Sequence, residues 1–488
     1  MRRDAAALAA LAVLACLTAG VAAAAVERSA FVPNDPLAPR QWNLGQDKAF
    51  DAWPVLPALP GAGVRVAIID SGIDGGHPEF AGRIAAAKSF VGGSALTDQQ
   101  GHGTFVAGEI AAAVGNGQGI AGIAFPAQLL IAKVVSADRT ISLAAEAAGI
   151  RWAVDHGARV VNLSLGGLRD PRDPRRDTFS ALEASAVDYA VRNGAVVVAA
   201  VGNADEAPTT PWQYASYPAA LAHVLGVSAL GRDGSVPLFS NRDAVYDDLA
   251  APGQGIFSTI SRALTTRGCP DVGYSDCGPD DFRLAEGTSF AAPQVAAAAA
   301  LLFAADPELT ADQVTALLER SADDVNATTG CRRCPLLRDS LSGWGRLDVA
   351  RAIGALAGPL PAPDRYETND DAGASAPRIW GRSRELQATF DYWDDPLDVY
   401  SVKLAAGQAL AARVQGPAAT NLNLELWRPG TATVQAPARV LSNRVARATG
   451  PASVERIVFR ARRAGWYYVA VRVAQGGFGP YTLSLSKT

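Results

Sequence analysis

Val64-Arg65-Val66-Ala67-Ile68-Ile69-Asp70-Ser71-Gly72 is an apolar run, broken only by Arg65, that ends on an aspartate and a glycine. A strand with one wet face would alternate. This run is nearly continuous, so both faces are buried and the strand belongs in a parallel sheet covered by helices. Similar runs recur at residues 129–135, 159–165, 195–201 and 223–229. Between them, residues 103–113, 142–156 and 179–193 suit crossover helices, the last closed by Asn193-Gly194. The alternation predicts an α/β domain with a mostly parallel sheet, whose ligands sit beyond the carboxyl ends of the strands.

Those strand ends carry reactive residues. Asp70 follows the first run. His102 stands in Gly101-His102-Gly103-Thr104-Phe105-Val106-Ala107-Gly108, at the start of a helix rich in small residues. Among His77, His102, His156 and His223, only His102 has glycines on both sides, which allow close approach of backbone or substrate. Asn203 follows Val201-Gly202 at the end of the fourth run, where its amide can donate to a developing oxyanion. Ser289 lies in Glu286-Gly287-Thr288-Ser289-Phe290-Ala291-Ala292-Pro293, just ahead of an alanine-rich helix. Free N–H groups and the dipole at such a helix start favour negative charge. Each residue alone reads as a turn former or a cap. Asp, His and Ser in that order at the ends of one sheet read as a nucleophilic triad. The absence of a Gly-x-Ser-x-Gly elbow argues against an α/β-hydrolase esterase.

At these residues the chain resembles the subtilisin-like serine proteases, most closely their thermitase-like branch. The resemblance spans about residues 33–356. It rests on Asp70-Ser71-Gly72, Gly101-His102-Gly103-Thr104, Ser164-Leu165-Gly166-Gly167, Gly202-Asn203 and Gly287-Thr288-Ser289-Phe290-Ala291-Ala292-Pro293. It implies a subtilisin-like three-layer α/β fold and peptide-bond hydrolysis through an acyl-enzyme. Ser289 would be the nucleophile, His102 the base, Asp70 its orienting partner and Asn203 an oxyanion donor. Phe105 and Phe290 depart from the family, which more often has His or Cys at the first position and Met at the second. Neither change removes a catalytic atom.

The resemblance also implies that Ser164, Leu165 and Gly166 form an edge for extended substrate. With Ala200, Gly202 and Ser216 they would wall the pocket for the residue before the scissile bond. These side chains are small and uncharged, which predicts broad specificity with an apolar or aromatic preference. Thermitase-like members bind calcium, and Asp35, Glu79, Val114, Asn116 and Ile120 stand at matching positions. Here Glu79 replaces the more usual Asp, and the loop is one residue shorter. Secreted subtilases usually carry a folded inhibitory pro-segment; here residues 26–32 are too few to form one.

Composition sets the wider frame. The 488 residues, 49% hydrophobic, suffice for about two or three domains. A formal net charge of −4 without a basic cluster excludes a nucleic-acid footprint. Met1-Arg2-Arg3, an apolar stretch to Val21 and the small residues Ala22 to Ala25 predict a signal peptide over residues 1–25. The expected product is a secreted, extracellular monomer acting on protein or peptide substrates, with no membrane span. Beyond Cys16, the cysteines 269, 277, 331 and 334 read as two disulfides with three pairings open, of which closeness along the chain favours Cys269–Cys277 and Cys331–Cys334.

After the catalytic domain at residues 26–357, a proline-rich linker covers residues 358–363. Residues 364–488 then show short period-two runs bounded by Gly, Pro and Asn, the pattern of a small all-β sandwich. Tyr366-Glu367-Thr368-Asn369-Asp370 and Gly465-Trp466-Tyr467-Tyr468-Val469 resemble the bacterial pre-peptidase C-terminal domain. Asp391, Asp394, Asp395 and Asp398 read as a solvated loop, with a second calcium site as the alternative. Two competing functions share this scaffold. A non-catalytic binding protein is disfavoured by the intact Asp70, His102, Ser289 and Asn203 set. A peptide ligase would use the same acyl-enzyme.

Overall fold

The structure is a computed structural model describing residues 33–53, 63–205, 207–264, 281–360, 363–435, 442–475 and 477–488. The expected signal peptide, Cys16, Cys269 and Cys277 lie outside the described residues.

Seven parallel strands form the central sheet: β1 (Arg65–Asp70), β2 (Ile84–Ser89), β3 (Gln128–Lys133), β4 (Val160–Leu163), β5 (Val196–Ala200), β6 (Val224–Leu230) and β7 (Leu249–Pro252). Their spatial order is β2-β3-β1-β4-β5-β6-β7. Every residue of β4 to β7 is buried, which is why the runs do not alternate. The edge strand β2 alternates between half-buried and exposed residues over Ile84–Ala87, with only Ile84 and Ala86 packed against the core, and this weak signal left it unread from sequence.

The helices are α1 (Trp42–Gln46), α2 (Ala49–Ala52), α3 (His102–Ala111), α4 (Leu143–Asp155), α5 (Ala181–Arg192), α6 (Ala292–Ala305), α7 (Ala311–Arg320) and α8 (Val349–Gly354). Ser142 and Ser180 cap α4 and α5 by accepting from the backbone N–H groups of Ala145 and Glu183, both at 3.3 Å. Those two helices cover one face of the sheet, with Ile150, Ala153, Ala186, Val187 and Ala190 in the shared core. The other face is covered by α3 and α6, which meet through Val106, Ile110, Val295 and Ala299. A capping box of Thr310 and Gln313 starts α7. Among the described residues one helical segment, Thr288–Ala305, is long and apolar enough to cross a membrane, but 83% of it is buried inside this domain. It is the central core helix. The short hairpin β8 (Ile256–Thr259) and β9 (Phe282–Ala285) leads into Ser289.

The C-terminal region packs two sheets face to face. One contains β10 (Arg378–Ile379), β12 (Leu397–Leu404), β14 (Asn421–Trp427), β15 (Arg444–Ala448) and β17 (Gly465–Gln475), in the order β10-β12-β17-β14-β15. The other contains β11 (Ser383–Asp391), β13 (Ala409–Gln415), β16 (Val454–Arg460) and β18 (Phe478–Lys487), in the order β11-β18-β13-β16. All pairings are antiparallel except β10 with β12. Leu386, Val414, Leu424, Val469 and Leu483 fill the space between the sheets. Cys331 and Cys334 are joined in a disulfide.

Candidate active site

Three segments far apart in the chain meet at the carboxyl edge of the sheet. β1 delivers Asp70, the start of α3 delivers His102, and the turn before α6 delivers Ser289. Gly103 is what lets α3 begin so close to β1. A side chain there would overlap the Gly72 carbonyl oxygen and crowd Asp70. His102 Nδ1 lies 2.9 Å from both carboxylate oxygens of Asp70, which is 2% exposed. Burial disfavours the imidazolium, but the Asp70 charge and hydrogen bond, assisted by Asp98, outweigh it and hold the His102 pKa above its ordinary value.

Asp98 is a site residue that the motif reading missed. Its buried carboxylate accepts from Ser71 Oγ at 2.9 Å and from the N–H groups of Gln100 and Gly101 at 3.1 and 2.8 Å. The other oxygen accepts from Thr104 N at 2.9 Å and Thr104 Oγ1 at 2.7 Å. It therefore caps α3 and ties the loop after β1 to the turn that presents His102. The available signal was an acidic residue four positions before His102, ahead of a helix start. Lys133 is also buried beside this group, donating from Nζ to the Ser71 carbonyl.

Ser289 sits in a single 3-10 turn, Thr288–Phe290, just ahead of α6. Asn203 Oδ1 accepts from Thr288 N and Thr288 Oγ1, both at 2.8 Å. With the oxygen so engaged, the amide nitrogen is left as the donor end. Gln294 braces the same helix start by donating to the Phe290 and Pro252 carbonyls, each at 2.6 Å, and to Glu109 Oε1 of α3 at 3.2 Å. Burial pushes the Glu109 carboxyl well above the usual carboxylate range. The Glu109 carboxyl and the Gln294 amide thus link the two helices that carry His102 and Ser289.

Leu165, Gly166, Ala200, Gly202 and Ser216 line a cavity of about 190 Å³ together with Asn203 and Ser289. Gly166 must lack a side chain because a Cβ would overlap the Tyr217 carbonyl. Ser164 differs from its expected place in the pocket wall. It is buried beneath the nucleophile, and its hydroxyl donates to the Ser289 carbonyl at 2.7 Å. Its side chain faces inward because a strand end alternates, and Leu165 takes the outward position. Gly167, Leu168, Ala204, Asp205, Ala207, Asn241 and Thr288 complete the lining.

Phe105 and Phe290, separate departures in the sequence, touch each other. Their ring centroids are 4.4 Å apart, and Phe290 lies 5.4 Å from the His102 ring. Together with Ile256, Ile260 and Leu264 they form one apolar cluster behind the imidazole.

Asp35, Glu79, Val114, Asn116 and Ile120 are also brought together. Asp35 accepts from Gly115 N at 2.8 Å and Asn116 N at 3.0 Å, and Glu79 Oε1 accepts from Ile120 N at 3.1 Å. Glu79 Oε2 is buried without a partner. Burial, partly offset by the Ile120 N–H and reinforced by Asp35, pushes the Glu79 carboxyl up to about 7. An orphan buried oxygen among carboxylate, amide and carbonyl donors fits a hard cation.

The expected solvated loop at residues 391–398 is corrected. Asp391 is 5% exposed and Asp398 only 1%, because they are residues of β11 and β12 within the sandwich rather than of the loop between those strands. Asp398 accepts from Asn369 Nδ2 at 2.5 Å and Tyr481 Oη at 2.7 Å. Among the described residues, the carboxyls close enough to share an ion are Asp364, Glu367 and Asp398, and Glu367, Asp370 and Asp395, so Asp391 and Asp394 stand outside both groups.

A parallel α/β sheet carrying Asp70 and His102 in contact, with Ser289 and an amide donor on the adjoining cleft, defines a serine hydrolase of the subtilisin type. The comparisons agree with that class. The Subtilase family model (Peptidase_S8) matches residues 61–345. Thermitase from Thermoactinomyces vulgaris is 34% identical over 300 residues, covering 61% of this chain and 94% of the relative. Subtilisin DY from Bacillus licheniformis is 35% identical over 266 residues, covering 54% and 85% respectively. A solved protease from Pseudoalteromonas arctica PAMC 21717 superposes with a TM-score of 0.54 at 27% identity, covering 67% of this chain and 99% of that one. The chain belongs to the subtilase family and is a serine endopeptidase.

Proposed function

We propose that this protein is a secreted endopeptidase of broad specificity that prefers large apolar or aromatic residues before the scissile bond. The observation that carries the mechanism is the two-oxygen contact of Asp70 with His102 Nδ1 at 2.9 Å. That contact holds the imidazole with Nε2 turned outward, as a general base for Ser289. Ser289 Oγ attacks the carbonyl, His102 takes its proton, and the proton passes to the leaving amine. Water then resolves the acyl-enzyme by the same steps. Asn203 Nδ2 and the Ser289 N–H stabilise the oxyanion; the loss for one such donor is about 2.7–4 kcal/mol in subtilisin, from which the magnitude is taken.

Residues 26–357 act as the catalytic domain. Residues 364–488 serve as an accessory domain of the pre-peptidase C-terminal kind, joined by the linker at 358–363. Calcium is the structural ion for Asp35, Glu79, Val114, Asn116 and Ile120, and it would neutralise the orphan oxygen of Glu79. Residues 1–25 direct export, and the mature enzyme works as a monomer on protein or peptide substrates. Ser289→Ala should remove turnover while leaving the circular dichroism and melting profile intact. A peptide panel should favour Phe, Tyr or Leu before the cleaved bond. Full activity in the variant, or a panel led by Lys or Arg, would overturn the assignment.

A further inference from the structure

A second cavity, of about 430 Å³, lies between the central-sheet domain and the C-terminal sandwich. It opens at Ala195, Val196, His223 and Val224, the amino ends of β5 and β6. In parallel strands that is the end opposite Asn203, so the cavity is separate from the peptide-binding cleft. Its volume is in the range of sites for small organic molecules.

One wall is a face of α7. Asp312, Thr315 and Glu319 are spaced i, i+3 and i+7 and all line the cavity. Val314, Leu317 and Leu318 turn the other way into the core. The sandwich contributes Asp370, Tyr392, Trp393 and Asp394, and Trp344 packs edge-on against Tyr392 with centroids 5.3 Å apart.

The charges in this cavity do not balance. Asp370 pairs with His223 Nε2 at 2.8 Å, and Asp248 with Arg338 at 3.0 Å. Arg338 is further committed to the carbonyls of Ala244, Val245 and Asp247 and lies 5.5 Å from the Trp344 ring centroid. Arg472, the third base of the lining, donates to the Val434 carbonyl at 3.2 Å, so five acids face three bases that are each engaged. Among the described residues no basic side chain forms an ion pair with Asp312, Glu319 or Asp394. Glu319 is the decisive group. It is 5% exposed, and Oε2 has no hydrogen-bond partner, although Trp344 bonds to the carboxyl. Burial and neighbouring acids raise Glu319 well above the usual carboxylate range; burial also raises Asp312, partly offset by His223. An orphan carboxyl oxygen in a roomy, aromatic-walled cavity is a site short of a cation.

A single metal ion does not suit this wall. Calcium gathers its oxygens at about 2.3–2.6 Å, and Asp312, Glu319 and Asp394 do not form one of the close-set groups. Spread carboxyls with indole and phenol faces suit a larger, softer cation. We propose that this cavity binds a small organic cation, a primary ammonium or guanidinium, held by Asp312, Glu319 and Asp394 against Trp344 and Tyr392. The same chemistry is carried by a free diamine and by a lysine or arginine side chain of a polypeptide.

The test uses the full chain bearing Ser289→Ala, to prevent self-digestion, in saturating calcium. Cadaverine, N-acetyl-lysine amide and the neutral 1,5-pentanediol are titrated by calorimetry, with melting followed in parallel. Saturable binding of cadaverine, of the lysine amide, or of both supports the proposal, and the tighter of the two identifies the source. The diol should not bind. Glu319→Gln and Asp312→Asn should each weaken binding by about tenfold or more, without lowering the melting temperature of the unliganded protein. In an active background, Glu319→Gln should leave kcat/KM on a short peptide unchanged. No saturable binding of either amine, equal binding of the diol, or wild-type affinity in both variants would refute the site. The titration is repeated in chelator, and amine binding seen there but absent in saturating calcium would also refute it, by assigning these acids to the metal.

Discussion

Asp98 offers the sharpest test of how this site is held. Asp98→Asn keeps the shape of the side chain but removes its charge and turns one acceptor into a donor. Oδ2 accepts from both Thr104 N and Thr104 Oγ1. The hydroxyl can rotate and accept, but the buried Thr104 N–H is left facing an amide, at about 1–3 kcal/mol. The three bonds to Oδ1 from Ser71, Gln100 and Gly101 remain but lose charge assistance, at roughly 0.5 kcal/mol each. The total is about 2.5–4.5 kcal/mol. At roughly 2 °C per kcal/mol for a domain of this size, melting should fall by about 5–9 °C.

A second readout separates site geometry from simple stability. The Asp98 charge helps raise the His102 pKa. Catalysis needs neutral His102, so activity falls as pH drops through that pKa. Removing the charge favours the neutral imidazole, and the acid limb of kcat/KM should move to lower pH. A variant that melts within about 1 °C of the wild type, or whose acid limb stays or moves upward, would refute this account.

Three further outcomes are expected. Asn203→Ala should lower kcat by about 10²–10³ with little change in KM, measured on a chromogenic peptide, because the oxyanion donor acts only in the transition state. Chelation should lower the melting temperature of the enzyme, and Glu79→Gln should reduce that difference, since its orphan oxygen is where the cation is most needed. A double-mutant cycle of Phe105→Leu and Phe290→Leu should give a coupling of about 0.5–1.5 kcal/mol from denaturant melts, because the rings touch at 4.4 Å. Additive effects would deny that they form one packing unit.

Much of this enzyme was legible locally. Continuous runs such as Val196–Ala200 announce a doubly covered parallel strand, because burial on both faces removes the need for alternation. Asp70, His102, Asn203 and Ser289 were readable because strand ends and helix starts are where such a fold presents side chains. Other features had no local signature. Ser164 reads like its neighbours in Ser-Leu-Gly-Gly, yet pleating turns its hydroxyl inward to the Ser289 carbonyl. Asp98 looks like any loop acid until its five donors converge. The acids of residues 391–398 look solvated until β11 and β12 take their places in the sandwich and bury Asp391 and Asp398.

The sequence by itself determined β1 and β3 to β6, the helices α3 to α5 between them, the reactive residue types and their placement at element ends. These follow from periodicity and backbone propensity, which act over a few residues. Only the tertiary structure decided that Phe105 and Phe290 are one contact, that Glu109 and Gln294 brace the helices behind the triad, and that Glu319 faces an unbalanced cavity. Those facts depend on which distant segments meet. Burial and charge at a residue are set by neighbours contributed from elsewhere in the chain.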